Sequence, residues 1–153
     1  MSMNKQTSPE GRNPRAPIAL MTCESGRPFA SRVAEYLGSP LLPTKEIWFA
    51  CGEGKLEIEA NVRGHDLYIF QNVAGRQDER SIYERFIMLL HAVEAAAHAD
   101  AQYITAVLPY YPGARQDKRK GRTREGISAS LFARMLQSAG ADRVVTVEIH
   151  NDA

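Results

Sequence analysis

Apolar residues along this chain fall into short continuous runs separated by stretches of helical spacing. Residues 18–21 are an apolar run, and Phe29, Val33, Tyr36 and Leu37 follow at helical spacing up to Gly38. That pattern predicts a strand leading into a helix over 25–37 with a glycine stop. Two short runs, 47–49 and 56–58, flank the turn Cys51-Gly52-Glu53-Gly54. The alternation Leu56-Glu57-Ile58-Glu59 predicts one wet face, so the pair reads as a hairpin or flap. The run 67–70 follows the turn-like Arg63-Gly64-His65-Asp66 and suits a central strand buried on both faces. From 81 to 98, Ile82, Phe86, Leu89, Val93 and Ala96 recur at three and four behind Ser81 and Glu84, which have capping-box spacing. This is the longest helix signal. Residues 103–108 predict a buried strand ended by Pro109, and 110–126 a polar, basic loop. A helix over 128–139, through Leu131, Phe132, Met135 and Leu136 to Gly140, and a strand over 144–149 complete the chain. Strands alternating with helices predict an α/β fold, a parallel sheet covered on both faces.

Composition narrows what the fold could do. One domain is expected from 153 residues, of which 44% are hydrophobic. Residues 1–17 are polar and proline-containing, and are expected to form a disordered tail ahead of a domain over 18–153. The 19 Lys and Arg against 18 Asp and Glu leave a net charge of +1. No whole-molecule field then draws nucleic acid or an acidic membrane, and an anion must be caught by a local cluster. Nucleic acid is not an expected partner, despite the basic run at 118–124. Cys23 and Cys51 match no metal spacing and are too few for a disulfide framework, which reads as reduced thiols in a cytoplasmic protein. No segment nears the roughly 20 apolar residues of a membrane span, so no membrane partner is expected either.

Ligands of open α/β sheets bind beyond the carboxyl ends of the strands, which directs attention to the segments after Leu108 and Ile149. The first holds Tyr110, Tyr111, Arg115, Gln116, Asp117, Lys118 and Arg119. Guanidinium forks suit phosphate oxygens and an amide suits a base or ribose edge, so this mixture fits a nucleotide. The run 118–124 fits a solvated surface equally well, and the stronger case rests on Arg115 and Gln116, nearer the strand end. At the second segment, alternation places Glu148 and His150 on one side, where they could jointly meet a hydrated magnesium ion or a phosphate. A histidine at a strand end is more often a surface residue than a ligand. His65, His91 and His98 share no ligand spacing with it. Gly52-Glu53-Gly54-Lys55 fails as a phosphate loop, because Phe49 and Leu56 occupy the positions that need Gly and Ser or Thr. Neither a dinucleotide fingerprint after a strand nor a Gly-x-Ser-x-Gly elbow occurs, which disfavours hydride transfer and acyl hydrolysis.

Four ordered stretches resemble one family. Residues 104–119, which read Ile-Thr-Ala-Val-Leu-Pro-Tyr-Tyr-Pro-Gly-Ala-Arg-Gln-Asp-Lys-Arg, resemble the ribose-phosphate pyrophosphokinase pattern of a strand ending at Pro-Tyr and continuing into Ala-Arg-Gln-Asp. Arg124-Glu125-Gly126-Ile127-Ser128-Ala129 resembles that family's Arg-x-Pro-Ile-Ser-Ala. Residues 139–150 resemble its Ala-Gly-Ala-Asp-Arg-Val with Asp-Leu-His, and residues 59–64 its Glu-Asn-Val-Arg-Gly.

The resemblance implies a phosphoribosyltransferase-like domain with a mainly parallel central sheet, flanking helices and a small β flap. It implies transfer of diphosphate from ATP to ribose 5-phosphate, giving phosphoribosyl pyrophosphate and AMP, with Mg2+ as cofactor. Such chemistry relies on positioning and charge neutralisation, not on a protein nucleophile. By the same resemblance, Phe49, Cys51, Gly52 and Glu53 belong to a flap that holds the adenine of a neighbouring subunit's ATP in a homo-oligomer. Arg115, Gln116 and Asp117 contact the nucleotide, His150 and Glu148 meet the metal, and Lys118 and Arg119 approach a regulatory phosphate. Three residues depart from the family pattern: Cys51 and Glu148 each stand where it has Asp, and Gly126 where it has Pro. Family members run to about twice this length, and their second half supplies most of the ribose 5-phosphate site. The expectation is therefore a domain that does not turn over substrate alone. A non-catalytic regulatory or interaction subunit of a complete synthetase stays open as a second reading, motivated by Cys51 and Glu148.

Overall fold

The computed structural model describes residues 16–75, 79–119, 121 and 124–149. The tail expected at 1–17 falls almost wholly outside the described residues, and His150 falls outside them too. Among the described residues the chain runs β1 (Ile18–Thr22), a 3₁₀ turn (Glu24–Gly26), α1 (Arg27–Leu37), β2 (Thr44–Trp48) and β3 (Gly54–Ile58). It continues through β4 (Asp66–Phe70), α2 (Ile82–His98), β5 (Tyr103–Tyr110), α3 (Ser128–Ala139) and β6 (Arg143–Glu148). A parallel sheet has the order β1-β4-β5-β6, and β2 and β3 form a separate antiparallel hairpin. This is the α/β architecture and the flap that the alternating runs predict. No helix among the described residues is long and apolar enough to cross a membrane.

The helix ends follow local chemistry. At the start of α2, Ser81 Oγ accepts from the Glu84 amide and the Glu84 carboxylate accepts from the Ser81 amide, at 3.2 and 2.7 Å. Two amides that an uncapped helix would leave without partners are thereby satisfied. Gly38 and Gly140 close α1 and α3 with φ of 62° and 114°, a region costly for any residue with a Cβ.

Strand alternation divides the core in two. Ala19, Met21, Leu67, Ile69, Ile104, Ala106 and Leu108 face the larger cluster with Phe86, Leu89, Val93 and Ala96 of α2 and Phe132 and Leu136 of α3. Leu20, Phe70 and Val107 face the other way, onto Ala30 and Ala34 of α1. The side on which the chain crosses over changes with its direction. Leu41 bridges Leu20 in parallel, so the chain leaving α1 passes outside β1, away from β4. From β4 and β5 it moves the opposite way over the opposite face, through α2 and α3. Right-handed crossovers require this pairing of direction and face, and it puts the reversal of strand order between β1 and β4.

Two sequence expectations need correction. The first flap strand is Thr44–Trp48, not 47–49, so Phe49 belongs to the turn. The strand over 103–108 does not stop at Pro109 but continues to Tyr110. The Gln71 amide donates to the Val107 carbonyl at 3.0 Å, so the next backbone amide on that side would be that of residue 109. β4 has ended by then, and the amide that proline lacks is not needed there. Pairing with β6 continues on the other edge, through Tyr110 opposite Glu148.

Candidate functional site

β5 and β6 end side by side, so the loop leaving Tyr110 and the segment following Glu148 start from the same end of the sheet. The loop is docked on the first turn of α3. The Tyr111 hydroxyl donates to the Ala129 carbonyl at 3.0 Å, and burial raises the phenol pKa above its ordinary value, which keeps the group a donor. Gly113 has φ of 73°, and a Cβ built there would lie 2.9 Å from Phe132 and Ser128. Only glycine fits that turn without strain. The Gln116 amide donates to the Gly113 carbonyl at 2.8 Å, and the Gln116 carbonyl accepts a longer bond, 3.4 Å, from the Ala129 amide. Because α3 has no side-chain N-cap, this carbonyl serves one of the amides that the helix start would leave open. The Ser128 hydroxyl also donates to Gln116 Oε1 at 2.5 Å.

On this base the structure gathers the expected nucleotide residues. Arg115 and Gln116 are exposed and Asp117 is half-buried, all within one short turn, and exposed Lys118 and Arg119 extend it. Of the expected metal pair, Glu148 pairs with Tyr110 through the backbone at the end of β6, and His150 lies outside the described residues. No group of three or more His, Cys, Asp or Glu able to hold a metal occurs among the described residues. Magnesium retains much of its water and commonly takes one or two carboxylates plus substrate phosphates, so a glutamate at this strand end is a donor of the right type.

Phe49, Cys51, Gly52 and Glu53 form a second group, at the hairpin tip. The Phe49 amide donates to the Glu53 carbonyl at 2.8 Å and the Gly52 amide to the Phe49 carbonyl at 2.9 Å, and all four residues are exposed. Trp48 turns inward instead. A Cβ at Gly54 would lie 2.7 Å from Met88 Cε and 2.8 Å from the Trp48 ring, and the Arg80 guanidinium sits 4.0 Å from the indole centroid. Trp48 thus ties the flap to α2, whereas Phe49 is presented at the surface.

The two thiols differ as sharply as the two aromatics. Cys23 is buried, and its pKa is raised well above the ordinary thiol value, first by burial and then by the charge of Glu46. Cys51 is exposed. Iodoacetamide at pH 8 is expected to label Cys51 and spare Cys23 in the folded protein, since the thiolate is the nucleophile. Mass spectrometry should find one adduct, and labelling of Cys23 at a comparable rate would contradict the packing around it.

Over residues 18–140 the sequence matches the family model of the N-terminal domain of ribose phosphate pyrophosphokinase. The chain belongs to the ribose-phosphate pyrophosphokinase family. The ribose-phosphate pyrophosphokinase of Chlorobaculum tepidum is 40% identical over 134 residues, covering 88% of this chain and 39% of its own. That of Maricaulis maris is 39% identical over 133 residues, covering 87% and 41%. The crystal structure of phosphoribosylpyrophosphate synthetase from Mycobacterium smegmatis superposes with a TM-score of 0.81 at 35% identity, over 89% of this chain and 44% of that one. The chain spans about two fifths of the length of the curated relatives it matches. Both the flap tip and the 111–119 loop lie within the stretch matched to the N-terminal pyrophosphokinase domain.

This pyrophosphokinase domain also has a cleft that sequence reasoning missed, about 450 Å³ in volume, at the reversal between β1 and β4. Its buried groups bind one another. The Ser25 hydroxyl donates to Gln71 Oε1 at 2.6 Å, Gln71 Nε2 donates to the Arg85 carbonyl at 2.9 Å, and Arg85 Nη1 donates to the Gly75 carbonyl at 2.6 Å. Glu46 accepts from the Glu24 amide at 2.6 Å and from Trp48 Nε1 at 3.2 Å. The network locks the 3₁₀ turn, the flap and α2 together. Ser25-Gly26 soon after the apolar run 18–21 and Gln71 directly after the run 67–70 were the available signals, but the face on which α1 packs was needed to interpret them.

Proposed function

We propose that this domain holds the nucleotide in the transfer of diphosphate from ATP to ribose 5-phosphate, the reaction that yields phosphoribosyl pyrophosphate and AMP. The observation that carries the reading is the register of β5 and β6. It starts the Arg115-Gln116-Asp117 turn and the Glu148 segment from one end of the sheet, beyond the strand carboxyl ends where such folds take ligands. In this reading Arg115 forks onto phosphate oxygens, Gln116 and Asp117 orient the nucleotide, and Lys118 and Arg119 meet a regulatory phosphate. Phe49, Cys51, Gly52 and Glu53 reach the adenine bound by a neighbouring copy in a homo-oligomer. Glu148 and His150 would hold Mg2+, which when bound neutralises phosphate charge. Ribose 5-phosphate is bound mainly by the part of the relatives that this chain does not span, so nucleotide binding without turnover is the expected behaviour of the chain alone.

Calorimetric titration with MgATP tests the reading. Binding is expected, and Arg115→Ala should weaken it by about tenfold to a hundredfold, because a charge-assisted hydrogen bond contributes about 1.5–3 kcal/mol. Equal affinity of the two proteins, or no binding by the unaltered chain, would remove the assignment.

A further inference from the structure

We infer that the outer edge of β6 is an interaction surface on which a second copy of this chain pairs, strand against antiparallel strand, about a two-fold axis at Thr146. The inference is separate from the flap contact of the nucleotide reading and does not depend on it. Among the described residues β6 ends the sheet and pairs with β5 alone. The Asp142 amide donates to the Ile104 carbonyl at 2.9 Å, so along the strand the backbone groups of residues 144, 146 and 148 turn toward β5. Those of Arg143, Val145 and Val147 turn outward.

A bare edge recruits another strand unless something blunts it. The opposite side of the sheet is met by the chain leaving α1, where the Leu42 amide donates to the Leu20 carbonyl at 2.7 Å. β6 has no such cover among the described residues. Between Arg143 and Glu148 it reads Val-Val-Thr-Val, without a charge, a proline or a glycine. Arg143 is the cation placed to guard this edge, and it is turned back across the sheet. Its guanidinium donates to Asp66 on β4 and lies 5.4 Å from the centroid of the Tyr103 ring on β5.

The apolar side chains point to the same occupant. Val145 is in register with Val107, on the face that α1 covers. The cluster under α1 stops at Val107, and Val145 and Val147 are left 44% and 74% exposed. A partner must offer outward backbone groups and β-branched side chains at alternate positions of a strand, and β6 itself has that pattern. Turned antiparallel, a second β6 sets its Val147 opposite Val145 and its Val145 opposite Val147, each pair exchanging both backbone bonds. Thr146 then meets its own copy on the axis, and the paired valines share one face, where β-branched neighbours across strands are favourable.

Sedimentation of the full chain, with amide hydrogen exchange followed over the same concentrations, tests this. A single strand pair is a small interface, so a monomer–dimer equilibrium with a Kd of about 10–100 µM is expected. In the dimer the Val145 and Val147 amides should exchange at least about tenfold more slowly than in the dilute chain. Val147→Lys brings a cation from each copy to the pairing and should raise the Kd at least about tenfold, whereas Val147→Ile should keep it. Because Val147 is exposed in the single chain, neither variant should change melting of a dilute sample. On a Cys51→Ser background, Thr146→Cys should cross-link two chains, since residues facing each other in a non-bonded antiparallel pair bring their Cα atoms to about 4.5 Å. A dimer that fails to cross-link would overturn the two-fold register. A chain that stays monomeric up to about 300 µM would overturn the proposal and leave the β6 edge to a different polypeptide. A dimer that survives Val147→Lys while the Val145 and Val147 amides exchange freely would place the contact elsewhere, and the proposal would fall equally.

Discussion

Phe132→Ala is expected to lower the unfolding free energy by about 3–5 kcal/mol, the range for deleting a buried aromatic ring. The Phe132 ring is 8% exposed, lies 4.6 Å from the Phe86 ring between centroids, and joins α3 to the main core. Its outer edge faces Gly113, so the same deletion removes the surface on which the Arg115-Gln116 turn rests. Urea titration should show the midpoint falling with little change in slope, and melting should drop by roughly 10 °C at about 2–4 °C per kcal/mol for a chain of this size. Phe132→Leu retains most of the volume and should cost less than about 1.5 kcal/mol. A loss below about 1 kcal/mol for the alanine variant would mean that α3 is not anchored through this ring.

Gly26→Ala should be the most costly addition of a single methyl group. Its Cβ would lie 2.7 Å from the Phe70 carbonyl oxygen, 2.8 Å from Thr22 Oγ1 and 2.9 Å from Gln71 Cα. Two of these are backbone atoms at the end of the neighbouring strand, so relief requires β1 and β4 to separate. Overpacking of this kind costs about 1–3 kcal/mol, and more where the neighbours cannot yield. Gly54→Ala is the control. There the obstacles are the Met88 methyl group and the Trp48 ring, side-chain and not backbone atoms, and a smaller loss in the same urea titration is expected. Equal stability of Gly26→Ala and the unaltered protein would show that the turn after β1 does not approach Gln71 as described.

Most of the fold was legible because its signals are local. The Ser81 and Glu84 spacing, the 3.6-residue repeat of α2 and the glycines after α1 and α3 each act within one or two turns of chain, and each appears in the structure. Pro109 misled because its effect depends on what lies beside it: a strand end is inferred from proline only when a neighbouring strand needs its amide. The exposed turn 115–119 was legible as chemistry, since guanidinium, amide and carboxylate follow one another in sequence and remain together in space. The Ser128 bond to Gln116 was not, because it joins two residues that the sequence separates by a loop with no periodicity. The cleft between β1 and β4 was hidden for a related reason. It comes from α1 and α2 leaving the sheet on opposite sides, and no single segment states on which side its helix will pack.

Pro109 has one more effect on the molecule. Past the bond from the Gln71 amide to the Val107 carbonyl, and among the described residues, β4 gives β5 no further backbone partner, at the place where the 111–119 loop is about to begin. An open flank with its full set of amides would invite a passing extended segment to zip onto it and run on toward Arg115. With the amide of residue 109 replaced by a ring nitrogen that carries no hydrogen, such an intruder finds no second rung.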